Sequence, residues 1–444
     1  LNKNKPIVNP RGVKLMAEEV KESGSRWILV IDGLIIMLCL GAIYAYSIIS
    51  VPLKAYYTNS PDKGGLGLTV SALDMQLPFI VFLALFAITM PLIGKYIEKH
   101  GPRKVGMVGG VLVGAGWFLA SFASSPVMLD ILYGIIGGIG VGIAYNCPIV
   151  VSGRWFPDRR GLAVGLTVLG FGFSAALIGP IADYLNGQYG ILTTMKIFGI
   201  AFLIIIVALS TLLKFPPAGW KPAGWTPPAP KPGAAISCDF YRAQMLKSPS
   251  CWGLWLCYII GATAGLMAIG ISKPAGLEVT GKLGMDPAAA SVLMTSLVIP
   301  FAIANGFGRP IFGSLVDKMG ARNTAFLSFV LIFIASIMMA GYLGVPSVAM
   351  YTIAFILLWG CLGGWLAIAP SCTGAYFGMK DYACNYGFIF TAYGLGAIIG
   401  NVMSSRIKDI TGTYTGAFPI VAVMAIVGII IAFVLLKPPK PPAA

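Results

Sequence analysis

Charge is what this sequence has least of. Only 11% of its 444 residues are charged, where a soluble domain carries roughly a quarter. Acid is scarcer than base, 16 Asp and Glu against 31 Lys and Arg, and there is one histidine, His100. None of the acids falls near the middle of an apolar run; Asp32, Asp74, Asp130 and Asp183 all lie toward run ends. Metal-ligand spacing, a Walker phosphate loop and a nucleophile–base constellation are all missing, so neither an enzyme nor an ATP-driven machine is indicated and no cofactor is expected. The 56 glycines follow no Gly-X-Y period, and a chain that is 57% apolar is not disordered. Eight cysteines show no disulfide-framework spacing and read as buried small hydrophobes.

Long apolar runs are what the sequence has instead. A bilayer core takes about 20 apolar residues per helix, and twelve runs meet that length: 27–50, 71–94, 105–123, 127–150, 162–183, 193–213, 251–272, 288–313, 323–342, 348–369, 386–405 and 417–436. The first is too long, and too far from the N-terminus, for a cleavable signal. With residue 1 placed in the cytoplasm, 23 of the 31 basic residues fall in cytoplasmic segments and 7 in external ones, Lys273 and Lys282 among the latter. Arg309 is the one basic residue well inside a run. The positive-inside rule therefore puts both termini in the cytoplasm. It also removes a nucleic-acid partner, because the basic residues are spread over loops; the bilayer is the expected surrounding. The domain reading is a tail over 1–26, six helices over 27–214, a linker over 215–250, six helices over 251–436 and a tail over 437–444. Seven prolines from Pro216 to Pro232 make the linker extended.

A short pattern occurs twice. Gly94, Glu98, Lys99, Gly101 and Arg103 follow the second run, and Gly313, Asp317, Lys318, Gly320 and Arg322 follow the eighth, in the same register. Glycines permit a tight turn, and the acid can pair with nearby bases or a helix N-terminus to form a cytoplasmic latch. This doubled loop resembles the signature of the major facilitator superfamily. The resemblance implies an all-α membrane protein of twelve transmembrane helices, in two pseudo-symmetric six-helix bundles that rock about a central site.

Further patches narrow the resemblance. They are Gly41-Ala-Ile-Tyr44-Ala-Tyr46-Ser47, Arg154 to Gly161, Gly265 to Gly270, Asn305-Gly-Phe-Gly-Arg309 and Asn385 to Gly394. Together they look like the oxalate/formate antiporter family, a relative of the proton-linked monocarboxylate transporters. In such proteins an Arg of span 8 binds the substrate carboxylate, and Arg309 matches it. An Arg in mid-bilayer costs at least about 2.5 kcal/mol unless it faces protein or a cavity, and its planar fork suits a carboxylate. Asn305 lies one turn earlier on the same face, while Gly306 and Gly308 are expected to leave room. Tyr44, Tyr145, Trp365 and Tyr393 sit on runs that line the cavity in this superfamily; each alternatively packs in the core.

The expected function is secondary transport of a small monocarboxylate such as lactate, pyruvate or formate, with a proton or against a counter-anion, by a monomer that is not an enzyme. Oxalate:formate-type exchange and a carboxylate sensor are the alternatives. The oxalate exchanger has a lysine in span 11 where this chain reads Thr391-Ala392-Tyr393-Gly394, and one cation suits one carboxylate. Proton-linked relatives often carry an Asp four residues before the span-8 Arg, where Asn305 stands here. Asp32, five residues into the first run, either carries the proton or stabilises a helix N-terminus. His100 is expected in an exposed loop.

Overall fold

A computed structural model describes residues 26–217, 220–222, 239–340, 346–378 and 381–439. Most of the expected tail over 1–26, the linker prolines from Pro227 to Pro232 and Cys238 lie outside the described residues. Among the described residues the chain forms helices and no strand. The helices are α1 (Trp27–Thr58), α2 (Ala72–His100), α3 (Pro102–Ala120), α4 (Pro126–Trp155), α5 (Arg160–Tyr189) and α6 (Ile191–Ser210). After a one-turn helix Arg242–Met245 come α7 (Pro249–Lys282), α8 (287–319), α9 (321–339), α10 (Val348–Phe377), α11 (Tyr382–Thr411) and α12 (Ala417–Leu435).

Local chemistry explains the starts and stops. Ser71 and Asp74 form a reciprocal capping box on α2, and Asp286 accepts from the Ala289 amide to cap α8. Pro102, Pro126, Pro249 and Pro287 occupy first helical positions, where the missing N–H costs nothing. Two departures from α geometry stand out. Gly41–Ala45 is a 3₁₀ stretch within α1 that carries Tyr44, and Asp130–Gly137 is a π stretch within α4.

The helices outrun the apolar runs that predicted them. α2 continues past Gly94 to His100, α5 past Asp183 to Tyr189, and α7 past Ser272 to Lys282. Apolar length measures the hydrocarbon thickness, whereas a helix keeps its backbone bonds into the interface and beyond. His100 is consequently the last residue of α2 rather than a loop residue; it is exposed and its ring stacks 6.2 Å from Tyr96. Among the described residues ten helices are long and apolar enough to cross a membrane, counting the run Pro287–Met339 once. α3, whose first turn carries Arg103 and Lys104, is not among the ten.

The doubled motif is not a loop but a single residue. Gly101 (φ 82°, ψ 154°) alone separates α2 from α3, and Gly320 (φ 80°, ψ 160°) alone separates α8 from α9. That backbone region is essentially closed to residues with a Cβ. Gly320→Ala should lower stability by about 1–3 kcal/mol, read as a fall in the detergent melting temperature. Gly313→Ala is the control, since its added methyl would meet only the Ala367 Cβ at 3.8 Å within a helix. Equal melting of the two variants would overturn the strain argument.

α1–α6 pack on one another and α7–α12 do the same. The halves meet through α2 on α11, α5 on α8 and α1 on α7. The faces turned away carry exposed Ile, Leu, Val and Phe, such as Leu92, Val127, Val292 and Val423, as expected of a surface whose solvent is lipid. The seven described cysteines divide: six are buried, whereas Cys384 is exposed, against the expectation of burial for all. It stands at the start of α11, where the helix has only just left the preceding turn.

Candidate functional site

Arg309 lies on α8 where that helix crosses α5, and it is 5% exposed. Its Nη1 donates to the Val168 carbonyl of α5 at 2.6 Å, a bond from one half to the other. Nε and Nη2 are buried and donate to no acceptor within hydrogen-bond geometry, although the Tyr145 hydroxyl lies close enough to interact with the guanidinium. Those two atoms form the side-on edge of a guanidinium, the edge that grips both oxygens of a carboxylate. One turn earlier, Asn305 Nδ2 donates to the Trp359 carbonyl at 3.0 Å, and its Oδ1 is buried without a partner. Buried polar groups are nearly always paired, so unpaired atoms from two adjacent turns make this a candidate site.

Gly306 and Gly308 do something other than leave room. A Cβ on Gly308 would run into the Gly360 carbonyl of α10, and one on Gly306 into the Phe173 ring of α5. They bring neighbouring helices close to Arg309 instead of hollowing a cavity beside it.

Aromatic rings close the space around the guanidinium. Tyr44 from α1 and Tyr393 from α11 share a hydrogen bond of 2.7 Å between their hydroxyls, a second bridge between the halves. The Tyr145 hydroxyl stands beside Arg309, and Tyr44, Tyr258 and Tyr386 are close enough to feel its charge. Phe171 makes edge contacts with both Tyr44 and Tyr145, at 5.0 and 5.3 Å. Phe86 touches Tyr145, Phe390 and Tyr393. The arrangement offers two guanidinium donors, hydroxyl groups and apolar ring faces to a small anion that is partly apolar.

Tyr44, Tyr145, Tyr393, Asn305 and Arg309 thus come together, whereas Trp365 sits apart. It stacks on Tyr258 at 6.0 Å and packs on Phe329 of α9, within the C-terminal half. Trp359, which the sequence reading did not select, reaches Tyr44 across the halves at 6.3 Å, with its Nε1 buried and unpartnered. Both tryptophans lie on α10 six residues apart, and nothing in the sequence separates their faces. Tyr386 and Phe390 fall in the Asn385 to Gly394 patch, which carried the signal for them; Tyr258 had no local signal.

Asp32 is buried on α1 with neither carboxylate oxygen accepting a hydrogen bond. Its oxygens make no capping hydrogen bond to the α1 N-terminus. The latch residues Glu98, Arg103, Asp317 and Arg322 are all exposed, and Gly94 and Gly313 lie inside α2 and α8. Glu98 pairs with Arg154, whose guanidinium lies 4.0 Å over Phe215. Asp317 makes no ion pair among the described residues. The two copies therefore differ in this conformation, with one acid engaged and the other free of ion pairs. At the same end Arg26 grips Asp158 through two bonds of 2.7 Å and holds its carboxyl below the usual carboxylate range.

The structure corrects the charge reading at one point. Arg309 is not alone, because α7 runs past Ser272 and carries Lys273 with it, 2% exposed. Its Nζ donates to Asp183 Oδ1 of α5 at 3.0 Å and to Thr295 Oγ1 of α8 at 2.7 Å. Thr295 is fourteen residues before Arg309, roughly 21 Å along the helix, so this second cation does not share the Arg309 site.

The chain is similar to known proteins over nearly its whole length. The sequence profile of the Major Facilitator Superfamily matches residues 33–275 and 259–444. The oxalate:formate antiporter of Oxalobacter formigenes is 31% identical over 425 residues, 94% of this chain and 93% of that protein. Human monocarboxylate transporter 14 is 25% identical, with 94% of this chain and 91% of the relative aligned. Among solved structures, a bacterial homologue of the human lysosomal transporter Spinster, inward-facing and unoccupied, superposes with a TM-score of 0.65 at 14% identity, over 95% of this chain and 100% of that one. The last likeness concerns the fold alone. With long apolar helices, a doubled motif and these matches over nearly its whole length, the chain is a multi-pass membrane protein, not an enzyme, and belongs to the Major Facilitator Superfamily.

Proposed function

We propose that this protein is a secondary active transporter of small monocarboxylates, which holds the carboxylate on the Arg309 Nε–Nη2 edge and works by alternating access. The observation that carries the reading is that edge itself: two buried charged donors approached by the Tyr145 hydroxyl but with no hydrogen bond of good geometry, on a side chain whose third nitrogen bonds the opposite half. A bound anion there would be sensed by both halves at once. Tyr44, Tyr145, Tyr393 and Asn305 complete the site, with Trp365 behind Tyr258. A proton accompanies the anion, and Asp32, a buried acid whose oxygens accept no hydrogen bond, binds it.

In this reading α1–α12 each span the bilayer. The run Pro287–Met339 counts as two, because 53 residues in one helix would extend about 80 Å against a core of about 30 Å. Both termini are cytoplasmic, residues 27–214 and 251–436 form the two bundles, and the unit is a monomer. The end of the molecule bearing Arg26, Arg154, Arg159, Arg242, Arg322 and Lys437 faces the cytoplasm, in keeping with the positive-inside rule. The far end holds a cavity of about 480 Å³ lined by Ser50, Lys54, Gln76, Glu278 and Lys408 among others. It lies outside the Arg309 site and would serve as the external approach.

Uptake into proteoliposomes, with a panel of labelled carboxylates and with or without an inward proton gradient, tests the proposal. Monocarboxylate uptake should be saturable and accelerated by the gradient. Asp32→Asn should lose the acceleration and keep gradient-independent exchange, whereas His100→Ala should keep both. Full gradient dependence in Asp32→Asn would remove Asp32 from the coupling, and failure to take up any monocarboxylate would sink the reading. Oxalate:formate-type exchange is the second reading, favoured by the 31% identity to such an antiporter; tight oxalate binding by the wild type would promote it.

A further inference from the structure

Hydrogen bonds between the two halves are unevenly placed. Arg309–Val168 and Tyr44–Tyr393 lie at the middle. The other side-chain bonds between the halves, among the described residues, gather at the end opposite Arg26. There Ser47 and Ser272 share a bond of 2.7 Å, and Gln76 Nε2 donates to the Gly270 carbonyl at 2.9 Å. Asp409 of α11 accepts from the first two amides of α2, Ala72 at 2.6 Å and Leu73 at 3.3 Å, so one half caps a helix of the other. Lys273–Asp183 completes the set and is the one ion pair between the halves among the described residues.

Charge makes this pair different from its neighbours. The Lys273 ammonium is buried and held by Asp183 and Thr295 alone, while the Asp183 side chain is one-third exposed. Removing one partner of a buried pair strands the other. Rigid-body separation of α5 from α7 would strand Lys273 until water reaches it. The closed arrangement is therefore held by a contact that is strong when dry and weak when wet, and that property suits a gate with two states.

We propose that the Lys273–Asp183 pair, seconded by the Asp409 cap on α2, is the lock of the external gate and must break on each outward opening. The proposal rests on the alternating-access reading above, but not on the identity of the substrate.

Distances between the halves test it without transport. In a cysteine-free background, spin labels at Asp62→Cys (before α2) and Lys282→Cys (end of α7) report the opening by pulsed electron resonance, whichever way the chain threads the membrane. The unmodified lock should give mainly the short distance. Lys273→Ala should raise the ratio of long to short distances by about fivefold or more, the scale of a conformational coupling free energy. Asp183→Asn should act in the same direction and serves if the alanine variant does not fold. The exchange of charges, Lys273→Asp with Asp183→Lys, should recover most of the short distance. Unchanged distances in both single variants, or an exchange no better than the sum of the two, would overturn the lock. A normal distance response in a protein that transports no monocarboxylate would leave the lock standing and refute only the substrate reading.

Discussion

Arg309→Lys should lose about 2–4 kcal/mol of carboxylate binding, roughly 30- to 1,000-fold in Kd, although the positive charge is retained. The guanidinium does two jobs at once. Nη1 holds the Val168 carbonyl of the opposite half, and the Nε–Nη2 edge remains for two parallel bonds to the anion. A single ammonium cannot reproduce both. An ammonium is a compact point charge without two fixed parallel N–H groups, so if it takes the carbonyl it loses the side-on grip on the anion, and if it takes the anion it gives up the bond to the opposite half. Charge-assisted bonds to a carboxylate contribute about 1.5–3 kcal/mol each, which sets the size of the effect. Calorimetric titration of the purified variant, with a melting curve to show that it is folded, makes the measurement. Wild-type affinity in folded Arg309→Lys would make the Val168 contact the whole purpose of Arg309 and remove it from the site.

Tyr393→Lys should move preference from monocarboxylate toward oxalate by about 1–3 kcal/mol, or 5- to 150-fold, in competition against a labelled monocarboxylate. A dianion facing Arg309 alone keeps a net charge of −1 in a dry site, whereas a monoanion is neutralised. The Tyr393 phenol supplies a hydrogen bond but no charge, and it already shares that bond with Tyr44. A lysine at this position would bring its ammonium among Phe390, Phe86 and Tyr258, whose rings lie 5.1, 5.9 and 6.5 Å from the native phenol ring and can face a cation. The empty variant holds two cations close together, so it should melt earlier than wild type and regain stability on adding oxalate. Tyr393→Phe, which loses the Tyr44 bond without gaining charge, is the control and should leave the oxalate ratio unchanged. An unchanged ratio in the lysine variant would mean that position 393 does not face the anion.

The sequence by itself determined the class of the molecule and pointed to the proposed site, because those depend on composition and on short-range pattern. Apolar length predicts where helices cross hydrocarbon, and the register of Gly94–Arg103 against Gly313–Arg322 declares the duplication. Arg309 was legible because a guanidinium inside an apolar run has to be accounted for. Only the tertiary structure decided what depends on helix ends and helix faces. Apolar counting stops where the lipid stops, so it placed Lys273 and His100 in loops, while the backbone bonds carried both into helices. Choosing between Trp359 and Trp365 requires the rotation of α10 against α1 and α9, which is set by close packing with helices far away in sequence. The same packing unites Arg309 with Val168, Tyr44 with Tyr393 and Lys273 with Asp183, pairs 141, 349 and 90 residues apart. No local pattern encodes such pairs, because each exists only once the two halves have closed on each other.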